Sequence, residues 1–157
     1  MLNFLLIGML ILLPAAQAPA PPPPYGPPIT LAQARKVAEA AEAEAQKNKW
    51  GVVIAVVDPG GNLVLLHRLD DTQIASIQIA QKKAWTANGM RRPTKVFEDQ
   101  VAAGGAGIRV LGIDQIIPVE GGLPIIVDGK IIGAIGVSGV TSQQDGQVAR
   151  AGAEALK

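Results

Sequence analysis

The chain has 157 residues, 48% hydrophobic and 17% charged, which suits one globular domain of ordinary size. With 14 basic and 13 acidic residues the net charge is +1, which leaves no electrostatic footprint for nucleic acid. The absence of cysteine excludes disulfides, thiolate metal sites and cysteine nucleophiles, and aromatics at 3% leave the core to Ala, Val, Ile and Leu.

In chain order, Leu2–Leu13 is a short apolar run followed by Pro14 and Ala16-Gln17-Ala18. An apolar stretch with an A-x-A site reads as a secretory signal peptide over residues 1–18, and export to the periplasm or the medium is expected. The run is too short to span a bilayer as a helix, so no stable membrane span is expected. Residues 19–28 are proline-rich and predict an extended tether. The main domain then occupies 29–157. Thr30-x-x-Gln33 is a capping box for a helix over Leu31–Lys49, whose apolar face holds Leu31, Ala34, Val37, Ala38, Ala41 and Ala45. Val52–Val57 is apolar throughout, as expected of a strand covered on both faces. Asp58–Asn62 is a turn, and Leu63–His67 is the returning strand.

Ile74–Asn88 reads as a second helix. Pro93 opens a short third helix to about Ala102, and Ala103–Gly107 is a Gly/Ala loop without the Gly-Lys-Ser/Thr ending of a phosphate loop. Strands are predicted at Ile116–Val119, Ile125–Val127 and Ile131–Val137. Asp128-Gly129 joins the last two as a hairpin turn that needs positive φ. Gly133 and Gly136 inside the final strand imply that a backbone or a ligand comes close. Ser142-x-x-Asp145 offers a capping box for a last helix over Ser142–Leu156. The order α-β-β-α-α-β-β-β-α predicts an α+β fold: a single layer of about five largely antiparallel strands flanked by helices.

Three blocks, VVIAVVDPGGNLVLLHRLDD at Val52–Asp71, SIQIAQKKAWTANGM at Ser76–Met90 and EGGLPIIVDGKIIGAIGVSGVTSQQDGQVARAG at Glu120–Gly152, carry a family resemblance. The chain resembles the GlcG/HbpS-like family of haem-binding, or haem-degrading, domains. It is also similar to the C-terminal domain of PduO-type cobalamin adenosyltransferases. The resemblance implies a five-stranded sheet, homo-oligomers from dimers to octamers, and a tetrapyrrole ligand such as haem. It also makes the second helix the ligand wall, with Thr86 matching the threonine of the family's K-A-x-T-A segment.

Several residues can carry chemistry. His67, the only histidine, is a candidate ligand for haem iron; the alternative is a surface histidine paired to a carboxylate. Lys83, Thr86 and Met90 share a helix face. A hydroxyl or thioether there can approach iron, and the lysine can pair with a propionate. The alternative is that this face packs on the sheet, with Met90 as filler. Lys82 falls about 100° from Lys83 and is expected to face water. Arg91 and Arg92 can grip a carboxylate or simply complement the helix C-terminus. In Glu120-Gly121-Gly122 the glycines are either an anion nest or a sharp bend, and Glu120 can serve as an acid or base if buried. Trp50 and Trp85 are expected in the core or an interface. No catalytic residue is assigned. The leading reading is an exported, non-enzymatic haem- or tetrapyrrole-binding domain for sensing, storage or scavenging. The alternatives are an enzyme or enzyme accessory acting on a small organic acid, and a structural oligomer with a vestigial pocket.

Overall fold

The Thr30/Gln33 capping box forms as expected and starts α1 (Leu31–Lys47) in a computed structural model that describes residues 20–157. The leader expected over 1–18 lies outside the described residues. After α1 come β1 (Val53–Val57), β2 (Leu63–Arg68), α2 (Ser76–Gly89), α3 (Lys95–Ala102), a 3-10 helix (Gly105–Gly112), β3 (Gly122–Val127), β4 (Lys130–Ser138) and α4 (Ser142–Glu154). The strands form one antiparallel sheet in the order β2-β1-β4-β3.

Alternation along β1 assigns the two faces of the sheet. Ile54 and Val56 join the core built with Val37, Ala41 and Val148 of α1 and α4. Val53 and Ala55 face the other way, onto Ala80 of α2, and Val57 joins Ala84 and Ala87 there. Helix α2 lies almost on the sheet backbone. A Cβ at Gly136 would fall 2.1 Å from the Ala80 carbonyl oxygen and 2.4 Å from the Ala84 nitrogen. The close neighbour implied by that glycine is therefore the chain's own helix.

The α+β class and the antiparallel layer hold, but the sheet has four strands among the described residues rather than five. The strand expected at 116–119 does not form. Pro118 has no N–H to donate, the Ile117 N–H goes to Thr86 Oγ1 at 3.0 Å, and the Glu120 N–H goes to the Glu98 carboxylate. Side chains take the donors that a ladder would need. The Gly/Ala loop gives way to the 3-10 helix after Gly104. The last helix is capped one residue earlier than the sequence suggests, by a Thr141/Gln144 box. That frees Asp145 to turn inward.

Residues 24–29 are bonded to the sheet through an isolated bridge at Tyr25, with a bend at Pro27. The Ile131 N–H donates to the Pro24 carbonyl at 2.9 Å, and the Ile131 carbonyl accepts from Gly26 at 2.8 Å. Ile29 donates to the Ile132 carbonyl at 2.7 Å, and the Tyr25 hydroxyl donates to the Asn88 carbonyl at 2.8 Å. This segment pairs with the start of β4, beyond the point where β1 ends opposite Ala134.

Candidate functional site

Ala80, Ala84 and Ala87 form the buried stripe of α2, and Lys83 lies within it. Lys83, expected to offer its charge to a propionate, is instead engaged inside the protein. Its Nζ lies 2.7 Å from Asp145 Oδ2, and the two side chains are only 1% and 3% exposed. Asp145 Oδ1 accepts the Val140 N–H at 3.2 Å. Burial pushes the Asp145 carboxyl above its ordinary pKa, against the opposing pull of Lys83. Gly121 is required beside this pair: its φ is +123°, and a Cβ there would meet Lys83 Nζ at 2.9 Å.

Thr86 is fully buried, and its Oγ1 accepts the Ile117 N–H. It fastens the segment before β3 to α2, and its O–H points at the Gln115 carbonyl of the same segment. Met90 is half-buried at the end of α2. The neighbouring outer face of the helix is more open. There Trp85 and Lys82, with Val57, Leu63 and Gln115, line a groove of about 270 Å³. Gly61 makes the floor tight, since a Cβ on it would fall 2.8 Å from the indole ring of Trp85. The groove has an aromatic and aliphatic wall with one cation at its rim. Lys82 thus holds the position expected of Lys83. Sequence reasoning missed this groove, although the Ala80, Ala84 and Ala87 spacing marks the buried side and leaves Lys82 and Trp85 off it.

His67 is not part of that site. It pairs with Ile54 across the sheet, so alternation places it on the α1/α4 face, opposite α2. Its Nδ1 lies 3.1 Å from Glu42 Oε2 of α1. This is the carboxylate-paired histidine, and it stands apart from Thr86. Among the described residues no group of three or more His, Asp or Glu side chains is placed to hold a metal ion.

Glu120, Gly121 and Gly122 border a separate pocket of about 290 Å³ with Lys95 and Arg150. The glycines serve close packing. The Gly122 N–H donates to Thr94 Oγ1 at 2.9 Å, and a Cβ on Gly122 would meet the Lys83 carbonyl at 2.3 Å. With that N–H spent, the bend is favoured over the anion nest. The Glu120 carboxylate rests against Gly146 of α4, where a Cβ would come within 2.4 Å of its Oε1. Burial raises the Glu120 pKa, Lys95 opposes the rise and Glu98 reinforces it. The pocket therefore combines cations with a carboxyl that holds its proton more tightly than usual.

Residues 29–154 match the family described as haem degrading protein HbpS-like. Protein GlcG of Escherichia coli is 46% identical over 105 residues, covering 67% of this chain and 77% of GlcG. A crystal structure of a double mutant of Streptomyces reticuli HbpS superimposes with a TM-score of 0.76 at 33% identity, covering 92% of this chain and 99% of the other. The crystal structure of a PduOC:haem complex gives a TM-score of 0.75 at 28% identity, covering 83% and 96%.

Proposed function

The chain belongs to the HbpS-like family, and from that premise we propose that it binds haem or a related tetrapyrrole against the outer face of α2. The observation that carries this reading is the groove of Trp85, Leu63 and Val57 with Lys82 at its rim. A planar apolar macrocycle fits the wall, and an ammonium suits a propionate. Similarity to the PduOC:haem complex supports the ligand class. The residues present fit the macrocycle better than the iron. His67 lies on the far face of the sheet, and Thr86 is fully buried with its hydroxyl accepting from Ile117 and directed at the Gln115 carbonyl. Among the described residues the groove offers no strong iron ligand, so weak and exchangeable binding is expected. This suits sensing, storage or scavenging without turnover. Export rests on the leader pattern in residues 1–18. Assembly into a homo-oligomer is supported by the exposed Ile74, Ile108, Leu111 and Ile113.

A second reading, action on a small organic acid, is favoured by the pocket that gathers Glu120, Lys95 and Arg150. Haemin titration with a Soret readout separates the two. The first reading expects a saturable shift that Lys82→Glu and Trp85→Ala weaken and His67→Ala leaves intact. Absence of a saturable shift rejects it, and loss in His67→Ala alone moves the site to the other face.

A further inference from the structure

Arg91, Arg92 and Arg150 come together from the end of α2 and from α4, although nearly 60 residues separate the first two from the third. They border a groove of about 300 Å³ whose apolar wall is Leu123, Pro124 and Ile126 of β3. Among the described residues none of these guanidiniums has a carboxylate within 4.0 Å. The acidic residue lining the groove, Glu154, is paired to Lys157 at 3.1 Å. Arg91 stacks over Tyr25 with 5.8 Å to the ring centre, and Arg92 over Phe97 with 5.9 Å. Stacking holds a guanidinium plane by its face and leaves N–H groups on its edge to donate.

We propose that this groove is a ligand site for a small carboxylate with an apolar body. The arginines take the carboxylate, and the side chains of β3 take the hydrocarbon. Charge complementarity selects an anion, because among the described residues the three guanidiniums have no carboxylate within 4.0 Å and Glu120 acts on Arg150 only from farther off. The edge itself selects a small molecule over an extended peptide. β3 is an outer strand of the sheet, and Pro124 removes one of the donors that strand addition requires. The site is separate from the α2 groove and does not depend on haem binding there.

Amide chemical shifts of the full chain, followed during titration with hexanoate and with hexanol, test the proposal. Hexanoate is expected to shift Ile126, Ala153 and Glu154, which border this groove and not the Glu120 pocket, saturably, and hexanol to bind about tenfold more weakly, as loss of a charged hydrogen bond implies. Arg150 is exposed, so Arg150→Gln should fold normally and lose about tenfold in hexanoate affinity while keeping the hexanol response. Lys36→Gln on α1 removes an exposed cation elsewhere and should change nothing. Equal responses to acid and alcohol would overturn the proposal. So would shifts that map elsewhere, or equal losses in Arg150→Gln and Lys36→Gln.

Discussion

Lys83 Nζ and Asp145 Oδ2 meet at 2.7 Å between α2 and α4, sealed from solvent. Removing one partner strands the other as an uncompensated charge. Lys83→Met alone is expected to cost about 3–5 kcal/mol in urea unfolding. The double variant Lys83→Met with Asp145→Leu should recover most of that loss. A double variant no more stable than the single one would mean that the pair does more than neutralise itself.

Thr86→Val keeps the shape of the side chain and removes the acceptor for the Ile117 N–H. The expected cost is about 1–3 kcal/mol, the penalty for a donor left without its partner. Hydrogen exchange at Ile117 should accelerate while exchange in β4 stays slow. Unchanged exchange at Ile117 would show that another group holds that segment.

Gly136→Ala drives a methyl into the Ala80 carbonyl, where only 2.1 Å separates the atoms. Backbone lies on both sides of the contact, so neither can yield as a side-chain tip would. Destabilisation of at least about 3 kcal/mol is expected, with α2 displaced from the sheet. Calorimetry would read the loss, and a near-neutral result would mean that the helix sits farther out.

Glu120 gives a pH dependence. Its folded pKa is raised above the ordinary 4.5, chiefly by burial, so its contribution to stability is fully present below pH 4.5. That contribution is lost as pH rises through the raised value. Glu120→Gln cannot ionise and should keep it. The two proteins should therefore melt together in acid and diverge as pH rises above the ordinary carboxylate range, with the variant the more stable. A wild-type advantage at the higher pH would show that Lys95 and Arg150 hold the ionised form after all.

Much of the fold is legible in the residues, because β1 and β4 are apolar runs of strand length and Thr30 and Gln33 announce a helix start. The missing strand was hidden by composition. Ile116, Ile117 and Val119 have strand character, but Pro118 and the distant Thr86 and Glu98 decide where the donors go. The site was less legible for a similar reason. Helical spacing groups Lys83 with Thr86, yet the same spacing groups Lys83 with Ala80 and Ala87, which lie on the sheet. A lysine can be buried there only because Asp145, 62 residues away, is turned inward to meet it. His67 and Thr86 are both plausible ligands on paper, but the parity of a strand puts them on opposite sides of the sheet.

The bonds from Pro24, Gly26 and Ile29 to Ile131 and Ile132 have a mechanical consequence. A pull arriving from the residues before them is passed into β4, an inner strand, before it reaches α1. Those three backbone bonds must open before tension from that side can draw on the first turn of α1.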